Sequence, residues 1–380
     1  MPSRQLDDER LQDALRLAEH AIGLSEPNPR VGCIIGSEDG SVLGRGHTQK
    51  AGGPHAEVMA LRDAASRGLD VRGATAWVTL EPCAHHGRTP PCCDALIAGG
   101  VGRVVAATED PFPAVAGGGL RRLRNAGIEA SLASPEIAWA ARELNIGFFS
   151  RFVRNRPWVR IKSACSLDGR TALPGGESQW ITGPQARADG HLWRRRASII
   201  VTGIGTVLAD DPQLSVRLVQ TAHQPRRAVL DSSLRLPRSA RIRAESGLIV
   251  YTRAPAAEPA SQLQMDGITV VAVPASESGG LDLLSVLSDM AAREINEVHV
   301  EGGSRLTGAW LRSGLADELV LYMAPSLLVQ GPGIATLPQP AALEDALGMD
   351  FVEVSMTGTD ARLRLRANGS NPAAWCPSQG

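Results

Sequence analysis

Four histidines, His47, His55, His85 and His86, fall within 40 residues that also hold Cys83, with Cys92 and Cys93 just beyond. The whole chain of 380 residues has only eight histidines and six cysteines, so the clustering asks for a chemical reason. One imidazole and two thiolates, from His55, Cys83 and Cys92, form a donor set suited to Zn²⁺, and a fourth tetrahedral position left to water makes such a site catalytic. A zinc ion held in this way lowers the pKa of its water from about 15.7 to about 7. Glu57 lies two residues beyond His55 at the start of a helix and cannot share its ligand direction, which suits a group that carries protons between the water and a leaving amine. Cys92 opens another helix, whose positive N-terminal potential favours a thiolate. The order H-x-E, then P-C, then a second P-C follows the general zinc-deaminase pattern, except that eight residues instead of two separate the cysteines. The competing reading is a structural zinc knot, or buried thiols beside solvated histidines. A closed site wants a fourth ligand and a catalytic one wants a carboxylate such as Glu57, which favours catalysis. Cys33, Cys93, Cys165 and Cys376 are left to packing or are incidental.

The second half carries fainter signals. Glu301-Gly302-Gly303-Ser304 ends a strand and opens a helix, a geometry that serves equally as an anion site of backbone N–H groups or as a plain tight turn. Gly203-Ile204-Gly205-Thr206 is only a fragment of a dinucleotide fingerprint, and no G-x-G-x-x-G follows a strand. Arg194, Arg195 and Arg196 form a basic run whose commoner fate is a solvated helix end.

These residues need elements to position them. Apolar spacing predicts a helix over Asp7–Leu24, and the Glu38-Asp39-Gly40 turn between Val31–Ile35 and Ser41–Leu43 predicts a hairpin. Helices at His55–Ala65, Cys92–Ala98 and Leu120–Ala126 alternate with strands at Ala76–Leu80 and Val104–Ala107, and a helical stretch at Pro135–Ser150 runs into the basic segment Arg151–Arg156. Pro157 breaks it, which sets a domain boundary near residue 150. The second half alternates again, with strands near Val159–Ala164, Ile199–Thr202, Arg227–Leu230, Leu248–Tyr251, Val270–Val273, Val298–Val300 and Glu318–Met323. Its helices are expected at Pro184–Arg195, Leu281–Arg293 and Arg305–Ser313. Both halves are therefore α/β. Residues 1–150 and 151–367 form two domains, and Asn368–Gly380 is expected to be a loose tail.

Thirty-nine basic against 40 acidic residues leave no global field to attract nucleic acid or an anionic membrane, so any anionic ligand must be caught locally. No run of about 18 apolar residues spans a bilayer and no apolar h-region marks a signal peptide. A cytoplasmic protein is expected, with its cysteines as thiols or metal ligands.

With these residues in view, the first half resembles the deaminase domain of the bifunctional riboflavin biosynthesis deaminase/reductase family. The likeness runs through Pro27-Asn28-Pro29-Arg30-Val31-Gly32, Gly46-His47, Ala51-Gly52-Gly53-Pro54-His55-Ala56-Glu57 and Val78 to Cys92, with its wide cysteine spacing. The second half is similar to that family's reductase domain through Lys162, Ser166-Leu167-Asp168-Gly169-Arg170, Gly176-Glu177-Ser178, Trp180-Ile181-Thr182-Gly183, Gly205 to Pro212 and Glu301-Gly302-Gly303. The resemblance implies a cytidine-deaminase-like three-layer domain followed by a dihydrofolate-reductase-like α/β domain. It implies His55, Cys83 and Cys92 as zinc ligands, Glu57 as acid/base, and Asn28, His47, His85 and Arg88 lining the pyrimidine and ribose-phosphate site. In the reductase it implies that Ala164, Trp180, Thr206, Asp210 and Gly303, Ser304, Arg305, Leu306 and Thr307 contact NADPH. Ser178, Arg194, Leu214, Arg217 and Glu301 would hold the ribosylaminopyrimidine, the arginines through its phosphate. Phe112 stands where the family has Asn, and Leu328-Val329-Gln330-Gly331 departs from the family's Leu-Gly pair.

The reaction implied is hydrolytic deamination of a diaminopyrimidinone ribosyl phosphate, followed by hydride transfer from NADPH to the sugar C1′, so that ribosyl becomes ribityl. Partners are a small-molecule substrate and a further copy of the chain, with no nucleic acid and no membrane. The rival readings are a tRNA or nucleotide deaminase fused to an unrelated domain, against which the charge balance stands, and a zinc-stabilised binding protein without activity.

Overall fold

A computed structural model of the chain describes residues 4–84, 90–112, 116–253, 257–277, 279–368 and 370. His85, Arg88 and, apart from Asn368 and Ser370, the expected tail lie outside the described residues. The chain divides into two compact units, one up to Arg154 and one from Asn155 onward. Among the described residues no helix is long and apolar enough to cross a membrane.

The first unit is built on a five-stranded sheet of β1 (Gly32–Gly36), β2 (Val42–His47), β3 (Thr75–Val78), β4 (Arg103–Ala106) and β5 (Glu129–Leu132), in the order β2-β1-β3-β4-β5. β1 and β2 form the expected hairpin, with Gly40 at φ 84° in its turn. β1 runs antiparallel to β3, and β4 and β5 continue parallel to β3. The helices are α1 (Arg4–Ala18), α2 (Ala56–Ser66), α3 (Cys92–Ala98), α4 (Gly118–Asn125), α5 (Pro135–Leu144) and α6 (Ile146–Arg154). On one face Leu11 and Ala14 of α1 and Ile137 and Ala141 of α5 pack on Ile34, Trp77 and Val105. The first helix ends at Ala18 in a short 3₁₀ turn instead of reaching Leu24.

Successive strand residues point to opposite faces, so Gly32 meets α1 while Gly44 and Gly46 meet α2. A Cβ at Gly32 would lie 1.9 Å from the Ala14 carbonyl oxygen, and Cβ atoms at Gly44 and Gly46 would lie 2.1 and 2.2 Å from the Ala60 and Ala56 oxygens. Both helices therefore sit in backbone contact with the hairpin, giving three layers. The stretch read as one helix over Pro135–Ser150 is two, broken at Asn145. The Asn145 side chain accepts the Arg30 N–H (2.7 Å) and donates to the Arg30 carbonyl (2.9 Å).

The second unit has a nine-stranded sheet: β6 (Trp158–Ser166), β7 (Ile199–Gly203), β8 (Arg226–Leu230), β9 (Leu248–Thr252), β10 (Thr269–Ala272), β11 (Glu297–Glu301), β12 (Glu318–Ala324), β13 (Met349–Thr357) and β14 (Asp360–Ala367). The order is β10-β9-β8-β7-β11-β6-β12-β14-β13, parallel from β10 to β12 and antiparallel in the last two strands. Its helices are α7 (Pro184–Arg196), α8 (Ile204–Asp210), α9 (Ala257–Met265), α10 (Leu283–Ala292) and α11 (Ser304–Arg312). One face of the central strands is apolar: Val159, Ile161, Val298, Val300, Leu319 and Leu321 pack with Leu287, Met290 and Trp310.

The other face, toward α7, is charged and buried. Arg160 bridges Glu297 (2.8 Å) and Glu318 (2.9 Å), Arg196 reaches Glu297 (2.9 Å), and Trp193 stacks under the Arg160 guanidinium at 4.6 Å. The basic run Arg194–Arg196 is therefore no solvated helix end. Arg194 and Arg196 are anchored by carboxylates from β11.

Gly46→Ala is expected to force α2 off the hairpin and lower the stability of the first unit by about 1–3 kcal/mol, the usual cost of overpacking against backbone. The urea midpoint of that unit's transition checks this, and an unchanged midpoint would contradict it.

Candidate active sites

The first site gathers three segments. His55 precedes the first residue of α2, Cys83 follows β3, and Cys92 is the first residue of α3. His55 Nδ1 lies 3.7 Å from Cys83 Sγ and 3.2 Å from Cys92 Sγ, and all three ligand atoms fall within 4.8 Å of one another. Tetrahedral zinc with Zn–S near 2.3 Å and Zn–N near 2.0 Å separates sulfur from nitrogen by about 3.5 Å and sulfur from sulfur by about 3.8 Å. The residues present thus fit zinc, and among the described residues they are the one such His/Cys/Asp/Glu group.

The three donors are electrostatically interlocked. Hydrogen bonding from Cys92 holds the Cys83 thiol well below its usual range. The same contact, then burial, pushes Cys92 up. His55 is raised, first by its hydrogen bond with Cys83. Glu57, in the first turn of α2, is 4% exposed and touches the Cys92 sulfur. Burial, then the charge of Cys83, pushes its carboxyl up to about 7. Burial also holds Cys33 well up and Cys93 up to about 12, so both remain protonated packing residues.

Asn28 lies on the loop entering β1, where its N–H donates to the Ser25 carbonyl (2.8 Å). His47 ends β2 opposite Gly32, and burial lowers its pKa. Burial drives Asp110 up to about 7, and its carboxylate accepts the Phe112 N–H at 2.8 Å. The Phe112 ring packs on Phe152 at 5.0 Å.

The second site is a cavity of about 1670 Å³ in the second unit, opening beyond the carboxyl ends of the parallel strands, where open α/β sheets place their ligands. Lys162 and Ala164 come from β6, Ser178 and Trp180 from the segment before α7, and Thr206 and Asp210 from α8. Leu214 and Arg217 line it from the loop after α8, and Glu301 and Gly303 to Leu306 from the turn after β11 and the start of α11. Thr307 is 1% exposed and lies beneath this wall. Ser232, Arg235 and Arg241 also line the cavity. Sequence reasoning missed them because the loop after β8 carries no periodic or motif signal.

At the cavity wall Arg194 grips Glu301 through both carboxylate oxygens (2.5 and 2.9 Å) and donates to the Ser215 carbonyl (3.0 Å). Burial opposes ionisation of Glu301, yet the Arg194 guanidinium holds its carboxyl well below the usual range. Burial lowers the Lys162 ammonium, with Glu301 opposing. His191 on α7 accepts the Arg217 N–H through Nδ1 (3.0 Å) and so ties the Arg217 loop to the helix. Burial, then the Arg194 and Arg217 charges, pushes its pKa down to about 4.

Residues 157–363 match the family model of the RibD C-terminal domain, and residues 4–108 match that of the cytidine and deoxycytidylate deaminase zinc-binding region. The riboflavin biosynthesis protein RibD of Escherichia coli is 44% identical over 372 residues, covering 94% of this chain and 99% of its own length. That of Aquifex aeolicus is 40% identical over 359 residues, covering 94% and 97%. Among solved structures, Acinetobacter baumannii RibD superposes with a TM-score of 0.87 at 39% identity over 96% of this chain and all 100% of that one. A diaminohydroxyphosphoribosylaminopyrimidine deaminase/5-amino-6-(5-phosphoribosylamino)uracil reductase from Thermotoga maritima gives 0.84 at 32% identity over 96% and 99%.

His191 is neutral in the folded unit and ordinary, near 6.5, when unfolded. The unfolded chain therefore binds the extra proton, and stability is lost as pH falls from about 6.5 toward 4. His191→Gln keeps an acceptor for the Arg217 N–H and removes this titration. Urea midpoints of the second unit at pH 7 and pH 5 should fall further in the parent than in the variant, and equal falls would contradict the assignment.

Proposed function

The chain belongs to the RibD family of bifunctional riboflavin biosynthesis proteins, and we propose that the two sites described above divide that work between them. The enzyme deaminates 2,5-diamino-6-ribosylamino-4(3H)-pyrimidinone 5′-phosphate and then reduces the ribosyl side chain with NADPH, giving 5-amino-6-(5-phospho-D-ribitylamino)uracil.

The observation that carries the division is the convergence of His55, Cys83 and Cys92 beside buried Glu57. These three residues would hold zinc, which when bound supplies a Lewis acid that makes water nucleophilic at neutral pH. Glu57 would take one proton from the attacking water and deliver it to the exocyclic amino group as its C–N bond breaks, while the second water proton ends on the adjacent ring nitrogen, so that ammonia leaves and a carbonyl replaces the amino group of the amidine carbon. Asn28, His47, His85 and Arg88 orient the pyrimidine and its ribose phosphate.

In the second unit NADPH supplies the hydride. Ala164, Trp180, Thr206, Asp210 and the Gly303 to Leu306 turn hold the cofactor, Thr307 being buried behind that turn, while Ser178, Leu214 and Glu301 hold the substrate. Arg194 has committed three of its nitrogens to Glu301 and Ser215, so it chiefly fixes Glu301. Arg217, exposed on the cavity wall, meets the phosphate. Catalysis here rests on positioning, because the cofactor carries the reactive hydrogen.

The substrate is a small molecule. The five described cysteines form no disulfide, in keeping with a reducing cytoplasm. The enzyme associates with a second copy of itself through the outer hairpin of the second unit. Phe351, Val354 and Met356 of β13 are 65%, 65% and 68% exposed, and Leu343 on the preceding segment is 91% exposed. Such an apolar sheet face matches itself about a two-fold axis.

Glu57→Ala is expected to retain zinc, to lose deamination by about 10²- to 10⁴-fold as a general acid–base residue should, and to keep NADPH-dependent reduction of the deaminated substrate. Steady-state assays of the two half-reactions check this, and equal loss of both would contradict two separate sites. The double variant Phe351→Asp, Val354→Asp should run as a monomer in light scattering where the parent runs as a dimer. An unchanged mass would remove the hairpin as the interface.

A further inference from the structure

Glu81 stands two residues before Cys83 and is 3% exposed. Its carboxylate is spent entirely on backbone. Oε1 accepts the N–H groups of Gly119 (2.8 Å) and Leu120 (3.1 Å), and Oε2 those of Gly117 (2.9 Å) and Asp110 (3.2 Å). Two of these donors belong to the first turn of α4, whose N–H groups have no partner within the helix. The Glu81 N–H in turn donates to the Thr108 carbonyl (2.9 Å).

The next two residues are gripped from other sides. Gly119 brings α4 against Pro82 so closely that a Cβ there would lie 2.0 Å from the Pro82 oxygen. The Cys93 thiol donates to that same oxygen (3.3 Å), and the Cys93 N–H donates to the Cys83 carbonyl (3.2 Å). Cys83 has no helix of its own to aim its sulfur, unlike Cys92 on α3 or His55 at the start of α2.

We propose that Glu81 is a positioning residue of the metal site: by locking Pro82 and Cys83 to the start of α4, it holds the Cys83 sulfur where zinc requires it. This rests on the reading that zinc occupies His55, Cys83 and Cys92. A carboxylate suits the task because four convergent N–H groups need acceptor sites on both oxygens, which Glu supplies and Gln does not. Glutamine keeps the shape but turns an NH₂ group toward one pair of donors. Orienting partners of metal ligands are typically worth about 10- to 100-fold in metal affinity or activity when removed.

The test is zinc affinity of the full-length protein, read by competition with a chromophoric chelator at a temperature where circular dichroism shows it folded. Glu81→Gln should weaken zinc binding by about 10- to 100-fold and leave NADPH-dependent reduction unchanged. Gly119→Ala pushes on the same brace without altering charge and should weaken zinc in the same direction, which keeps the proposal testable where Glu81→Gln fails to fold. If the parent binds one zinc per chain and both variants bind it equally well, with only a lower melting temperature, Glu81 stabilises the fold and does not position the metal. If the parent itself binds no zinc, the reading of the triad fails instead, and this inference with it.

Discussion

Three ligand atoms from three segments must come within a few ångströms of one point, and most of the first unit serves that constraint. A sulfur or nitrogen displaced by an ångström no longer closes a tetrahedron on zinc. The hairpin of β1 and β2 gives up side chains at Gly44 and Gly46 so that α2, which begins just after His55, can lie on its backbone. α3 places Cys92 by starting there, and the Glu81 knot fixes the segment that carries Cys83. Glu57 is buried by the same packing, which puts a carboxyl beside the ligands and out of bulk water.

The second unit meets a different constraint. One face of its sheet is apolar, but the face under α7 buries Arg160, Glu297 and Glu318 at 1% exposure or less. Burying charges costs several kcal/mol per ion unless each is paired and hydrogen-bonded. Here Arg160 meets carboxylates from both neighbouring strands and Arg196 reaches Glu297, which ties α7 to the sheet. The arrangement ends at the cavity, where the Arg194 to Glu301 clasp keeps an ionised carboxylate at the end of β11. Such a network favours one geometry more than it adds stability.

The metal site was legible in the sequence because ligand type and spacing carry its chemistry: His55-Ala56-Glu57 and the two Pro-Cys pairs need no tertiary information to be recognised. The reductase cavity was legible only through resemblance, since Gly203-Ile204-Gly205 and Glu301-Gly302-Gly303 are ordinary turns by themselves. Arg194 and Arg196 looked solvated because their partners lie 107 and 101 residues further on, beyond any local pattern. β13 and β14 were missed although Arg362 to Arg366 alternates strictly with Leu363 and Leu365. β5, at the sheet edge, and α8 were also missed, and α9 has Pro259 within its first turn. Asn145 broke a helix that periodicity joined, because its side chain answers to Arg30 across 115 residues.

X-ray absorption at the zinc edge of the purified enzyme reads the donor set of His55, Cys83 and Cys92 without relying on activity. The expected spectrum shows one zinc per chain with two sulfurs at about 2.3 Å, one imidazole nitrogen at about 2.0 Å and one light donor exchangeable with solvent. A third sulfur, or four protein ligands and no exchangeable position, would contradict it.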